Sequence, residues 1–282
     1  MKALLFLLVM LSSGYMTNAI AENLVTPGVW FKTSVRPKAV ILIAHGLNLK
    51  PEKMDILAGI FATQGADVLR LTLSGHEGDM SAFKNVTAQI WDGDFRVSYT
   101  EAIKRSQELN VPLYFVGFSL GGLVGVRSMG QENSKIKFDR MALLAPALSL
   151  KIAARLVSLL KIFGRGFCVP SANLPEYRVH SCTPMAAYSA LLDSIRDIQG
   201  HRGSQINIPT LVMMDSRDEM VSPDGMKKFI AEKKLTNWNF IKFTSSETFL
   251  PKKYHHLVID EASAGLTEWK VIVNNLLRQF SL

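Results

Sequence analysis

Residues Val111 to Gly122 read V-P-L-Y-F-V-G-F-S-L-G-G. An apolar run suited to a buried strand ends at Gly117, and a glycine-flanked serine separates it from a segment of helical character that begins at Gly121. A strand, a sharp turn and a helix in that order present the central side chain of the turn at the edge of a parallel sheet, where a nucleophile can be reached. The bare pattern Gly117-x-Ser119-x-Gly121 arises by chance in about one chain of this length in ten at average residue usage. Its surroundings therefore decide what it means.

On both sides of this turn, apolar runs bounded by turn residues fall at 39–44, 67–73, 113–117, 140–144, 210–214 and 239–243. They alternate with amphipathic segments at 53–64, 92–109, 121–130, 224–233 and 262–280. The alternation predicts an α/β fold, with a mostly parallel sheet and helices on both faces. With 282 residues, 48% of them apolar, the chain can bury the core of one large domain.

One connection breaks the rhythm. Residues 149–207 far exceed the usual 2–6 residues between elements of an α/β unit yet carry helical periodicity, so they are expected to form an inserted helical lid. At about 100° per residue, Ile152, Leu156, Leu159, Leu160 and Phe163 share one face, while Lys151, Arg155, Lys161 and Arg165 gather on the other. Two arrangements follow. The apolar face could meet a lipid surface and an acyl chain, giving peripheral membrane contact, or it could pack over the sheet with the basic face in water.

The first residues have a different character. Lys2, an apolar run over 3–11 and the closing Ala19-Ile20-Ala21 describe a signal peptide cleaved near Ala21, and the run is shorter than the ~20 residues that span a bilayer. The expected mature chain, 22–282, is exported to the periplasm or secreted. Removal of Lys2 lowers the formal charge from +8 to +7. Such a basic surface favours anionic partners, but no arginine-rich tail or aromatic-interleaved basic stretch points to nucleic acid. Cys168 and Cys182 are the two cysteines, and in an oxidising compartment they could close a short loop.

A serine hydroxyl needs a base within hydrogen-bonding reach and a third group to orient that base. The segment ending a strand at Met214 opens into Asp215-Ser216-Arg217-Asp218-Glu219-Met220-Val221, which offers two carboxylates. Asp218, out on the loop, is the expected acid, and Asp215 braces the loop. Tyr254-His255-His256-Leu257 precedes the last helix and offers two bases. Spacing to Asp260 favours His255, with His256 as the alternative. The order serine, aspartate, histidine is the chain order of an α/β-hydrolase triad. Leu120 and Leu47 are expected to supply backbone N–H groups to a developing oxyanion. His45, before Gly46, is expected to shape its loop. No H-E-x-x-H or paired C-x-x-C pattern calls for a metal, and no cofactor is implied.

The chain thereby resembles α/β-hydrolases of the monoacylglycerol lipase, lysophospholipase and serine aminopeptidase group. The resemblance runs from His45-Gly46 through Ser74-Gly75-His76, the Gly117–Gly122 turn and Asp218-x-x-Val221 to Tyr254-His255-x-Leu257. Where this group commonly carries Gly-His-Gly, the chain has Gly75-His76-Glu77-Gly78, and His76 is implied to be structural. The resemblance implies a serine esterase acting on a small-molecule or lipid ester such as a monoacylglycerol or lysophospholipid, and the leader at residues 1–21 implies its export. A peptidase or thioesterase, or a silent scaffold that binds membranes, are the alternatives on the same fold.

Overall fold

A computed structural model describes residues 28–245 and 254–282, so the expected signal peptide lies outside the described residues. The strands of the main sheet are β1 (Val29–Phe31), β2 (Ala39–Ala44), β3 (Ala66–Arg70), β4 (Leu113–Phe118), β5 (Arg140–Leu144), β8 (Thr210–Asp215) and β9 (Trp238–Phe243). A two-stranded sheet holds β6 (Cys168–Pro170) and β7 (Cys182–Pro184). The helices are α1 (Asp55–Thr63), α2 (Met80–Asn85), α3 (Ala88–Leu109), α4 (Leu120–Gly130), α5 (Ile152–Arg155), α6 (Met185–Gly200), α7 (Pro223–Glu232), α8 (Glu261–Ala264) and α9 (Leu266–Phe280).

The main sheet runs β1-β3-β2-β4-β5-β8-β9, with only β1 antiparallel to its neighbour. Its central strands have apolar residues at both alternating sets of positions because each face is covered. In β2, Val40, Leu42 and Ala44 join a core with Trp91, Phe95 and Leu123, while Ala39, Ile41 and Ile43 join one with Phe61, Leu276 and Phe280. Strand order reverses between β2 and β4, which opens a crevice at their carboxyl ends, where α/β sheets place their sites.

The structure departs from the sequence expectations in informative places. β3 stops at Arg70 rather than 73 because the Leu73 N–H is taken by the buried His45 ring, at 3.1 Å, instead of by a neighbouring strand. The expected last helix is split at Gly265, whose φ of 93° lies in the region that favours glycine. Edge strand β1 and the β6–β7 hairpin were not expected, being three residues long each and too short to show a period.

Between β5 and β8 the chain carries α5, the β6–β7 hairpin and α6, but not the amphipathic helix expected from Ile152 to Phe163. α5 is a single turn, followed by 3-10 structure over Leu156–Phe163. Of the two arrangements open to the apolar face, packing over the sheet is not the one seen: Ile152, Leu156, Leu159 and Phe163 are 55–78% exposed, as is neighbouring Ile162 at 83%, and Leu160 is only half-buried. Ala154 and Val157 face inward. The hairpin is closed by a Cys168–Cys182 disulfide with Cα atoms 5.6 Å apart. Among the described residues, no helix is long and apolar enough to cross a membrane.

A buried ionic knot ties the insertion to the domain. Asp92 of α3 accepts from Arg127 and Ser128 of α4 and from Gln131, and the Arg127 Nε reaches Asp197 of α6 at 2.6 Å. Both Arg127 and Asp92 are buried, so removing one leaves the other desolvated and unpaired. Arg127→Ala is expected to destabilise the protein by about 3–5 kcal/mol, read as a lower urea midpoint at unchanged slope.

Candidate active site

The turn at Ser119 is set by close packing. Ser119 has φ 50° and ψ −112°, an arrangement held by its N–H to Leu144 O at 3.0 Å and its carbonyl to Ala147 N at 3.0 Å. The tight approach leaves no room for side chains beside it. A Cβ on Gly117 would lie 2.5 Å from Gly122 Cα, and one on Gly121 would lie 2.4 Å from Ala44 O. Leu120 begins α4, so its N–H has no acceptor within the helix, and it follows Ser119 directly.

Ser119 Oγ lies 2.8 Å from His256 Nε2, and His256 Nδ1 lies 2.8 Å from Asp218 Oδ2. The other Asp218 oxygen accepts the N–H groups of Met220 at 2.8 Å and Val221 at 2.7 Å, so this fully buried carboxylate has three donors. A carboxylate only accepts, so His256 Nδ1 carries the proton and Nε2 is left to accept from the serine hydroxyl. The Phe118 ring packs against the His256 ring at 5.3 Å, and Gly46 must be glycine because a Cβ there would sit 2.7 Å from that ring.

This geometry corrects the expected base. His255, favoured by its spacing to Asp260, faces away from Ser119, with Nδ1 3.5 Å from Asp215. Consecutive residues in a turn direct their side chains differently, so only one of the pair can enter the site. Asp260 has other work: it caps α8 and accepts the Tyr177 hydroxyl at 2.9 Å. Asp215 braces its loop, accepting from Arg217 N at 2.8 Å and from Ser245 N at 2.9 Å and the Ser245 hydroxyl. Burial alone would raise the Asp215 carboxyl, but those hydrogen bonds and His255 outweigh it and hold it below its ordinary value.

Leu47 lines the same cavity as Ser119 and His256, and its neighbour Asn48 fixes the loop they share. Asn48 has φ 50°, donates to His180 O at 2.9 Å and to Thr183 Oγ1 at 3.0 Å, and accepts the His180 N–H at 2.9 Å. Its own N–H is received by His76 Nε2 at 2.9 Å. Sequence reasoning missed Asn48, although asparagine is enriched at positive φ and follows the candidate donor. It also missed Glu219, whose carboxylate accepts the N–H groups of His255 and His256 at 3.0 and 3.1 Å. Nothing local marks a contact across 36 and 37 residues.

Both loop histidines are neutral supports. His45 offers Nε2 to the Leu73 N–H and donates from Nδ1 to Gly46 O at 2.9 Å, while His76 donates from Nδ1 to Leu73 O at 3.1 Å. Burial lowers His45 well below its ordinary value, helped by nearby His76, and lowers His76 to about 4.

Around Ser119 lies a cleft of about 200 Å³, open to solvent and walled by Leu47, Leu150, Val157, Leu191, Leu192 and Met220. Four of these come from or directly follow β5 or lie in the insertion, which therefore roofs the site. Glu219 is the one acidic residue lining the cleft among the described residues.

Comparison with known proteins agrees with this architecture. The sequence profile of a family described as serine aminopeptidase, S33, matches residues 35–183, more than half of the chain. That span holds the Ser119 turn but ends before Asp218 and His256. Among solved structures, a soluble variant of monoglyceride lipase from Saccharomyces cerevisiae, in complex with a substrate analogue, superposes with a TM-score of 0.72 at 12% identity, covering 89% of each chain. A structure from work on LipS and LipT, two metagenome-derived lipolytic enzymes, has a TM-score of 0.68 at 19% identity, covering 89% of this chain and 96% of the other. The monoacylglycerol lipase of Paleococcus ferrophilus has a TM-score of 0.60 at 16% identity, covering 89% and 98%. At such identities the likeness establishes the α/β-hydrolase fold. No curated protein matches the sequence.

The neutral histidines make stability depend on pH. His76 titrates at about 4 when folded and near the ordinary histidine value of 6.5 when unfolded, so its contribution is complete above pH 6.5 and is lost as pH falls towards 4. Roughly 3 kcal/mol is at stake by the usual conversion of a pKa shift. His76→Gln, which keeps an acceptor for Asn48 N–H without a titrating ring, is expected to flatten the decline of urea-unfolding stability across that window.

Proposed function

Because the chain belongs to the serine aminopeptidase S33 family of α/β-hydrolases, we propose that it is an exported serine esterase that cleaves lipid-derived carboxylic esters through Ser119, His256 and Asp218. The observation that carries the reading is the unbroken pair of 2.8 Å contacts from Ser119 through His256 to Asp218 at the floor of an apolar cleft.

In this mechanism Ser119 Oγ attacks the ester carbonyl as His256 Nε2 takes its proton, and Asp218 stabilises the imidazolium from the Nδ1 side. The N–H groups of Leu120 and Leu47 receive the oxyanion, each such donor being worth about 10²- to 10³-fold in rate. His256 then protonates the leaving alcohol, and water, activated by the same ring, releases the acid from the acyl-enzyme.

The apolar walls suit an acyl chain, and a monoacylglycerol or lysophospholipid fits that chemistry. The family's description as serine aminopeptidase favours a second reading, cleavage of an amide beside a free amino group. Recognition of an ammonium calls for acidic groups in the cleft, and its lining is mostly apolar, with Glu219 the one acidic residue among the described residues and already engaged by two backbone N–H groups, so the ester reading is the better supported. The outward apolar strip, with Lys151, Arg155 and Lys161 beside it, supports contact with an anionic membrane surface. Export is supported by the leader-like residues 1–21 and by the paired cysteines.

A panel of p-nitrophenyl acyl esters and a fluorophosphonate probe tests the reading. Ser119→Ala and His256→Ala are expected to lose at least roughly 10³-fold in kcat, while His255→Ala keeps wild-type turnover to within about tenfold. Turnover of aminoacyl amides with no activity on esters of any chain length would reject it. Ile162→Ser with Phe163→Ser is expected to weaken sedimentation with anionic phospholipid vesicles while leaving hydrolysis of a short soluble ester unchanged.

A further inference from the structure

We propose that Glu219 is a positioning residue for the base, holding the main chain of His256 while its neighbour Asp218 holds the side chain. The inference rests on the catalytic reading of Ser119, His256 and Asp218 given above.

Glu219 Oε1 accepts the N–H of His255 at 3.0 Å and Oε2 accepts the N–H of His256 at 3.1 Å. Two successive N–H groups aimed at one carboxylate form a concave anion site, in which each oxygen fixes one peptide plane. The arrangement restrains the orientation of the turn as well as its distance from the acid loop. Charge-assisted bonds of this kind are stronger than those between neutral groups, although the exposure of Glu219 weakens them here.

Glu219 is itself well placed to do this. The Asp218 carboxylate receives the N–H groups of Met220 and Val221, which fixes the backbone on the far side of Glu219. Two adjacent acids thus grip the same histidine at different points, Asp218 at Nδ1 and Glu219 at the peptide nitrogen. Downstream, the turn is anchored by Leu257 N–H to Tyr254 O at 3.0 Å and by the buried run Leu257, Val258 and Ile259. Upstream of that anchor, the Glu219 contacts tie the His255–His256 peptides to the acid loop. Rotation of that turn would carry Nε2 away from Ser119 Oγ, and a displacement of about 1 Å in a catalytic group can cost 10²-fold in rate.

The test is a comparison of wild type, Glu219→Gln and Glu219→Ala on a soluble p-nitrophenyl ester, with kcat, KM, the rate of fluorophosphonate labelling and Tm measured for each. Glu219→Ala is expected to lower kcat and the labelling rate together by about 10- to 100-fold, with KM within about twofold of wild type. Glu219→Gln keeps one acceptor oxygen but turns its NH2 towards the second N–H, so it should fall between the two. Its near-identical shape keeps the test sound if the alanine variant fails to fold.

A rise in KM with kcat unchanged would make Glu219 a substrate contact and overturn the proposal. So would a lower Tm with both kinetic constants intact, which is the mark of a purely structural bond. Ser119→Ala serves as the control: if it retained activity, the catalytic reading would fail, whereas inactive Ser119→Ala beside fully active Glu219→Ala would reject the positioning role alone.

Discussion

The closeness of α4 to the ends of β2 and β4 is the constraint on which the site depends. The helix begins one residue after a serine at φ 50°, and the space beside it is filled by Ala44 and Gly122 backbone to within about a methyl group of contact. An L-residue rarely occupies that region, so the conformation persists only because the surroundings determine it. The bonds from Ser119 to Leu144 and Ala147 provide this determination from the neighbouring strand's exit. Once the turn is fixed, the serine oxygen has one accessible direction, and the histidine must come to it.

The fold was largely legible because the central strands are apolar at both sets of alternating positions and are punctuated by turn residues. The bounds of β2 and β5 follow directly from where the apolar runs begin and end. What could not be read depends on partners remote in sequence. The early end of β3 is caused by a histidine 28 residues away, and the 3-10 structure after α5 replaces a helix whose apolar period is plain in the sequence. Periodicity reports which residues share a face, not whether that face will find a neighbour.

The same limit explains the histidines. Adjacent residues of one type present identical chemistry to sequence reasoning, and the spacing to Asp260 pointed to the wrong ring because that carboxylate serves Tyr177 and α8. The two rings nevertheless form parallel relationships, His256 with Asp218 and His255 with Asp215. The acids are separable in the sequence because Asp218 lies out on the loop while Asp215 stays close to the strand, and in the structure one Asp218 oxygen closes a turn onto two N–H groups. No such local turn distinguishes one histidine from the other.

Asn48 joins the loop beside the nucleophile to both His180 and Thr183, at the foot of the disulfide-closed hairpin. Lifting that hairpin would break three hydrogen bonds and disturb the peptide that follows Leu47. The strip formed by residues 152–167 has no buried side chain among those described, so displacing it sacrifices little packing. The wall of the cleft therefore divides into a base whose hydrogen bonds are shared with the loop beside the nucleophile and an outer strip held at its two ends, by the Lys151 N–H to Met220 O at 2.9 Å and the Met185 N–H to Phe167 O at 2.8 Å.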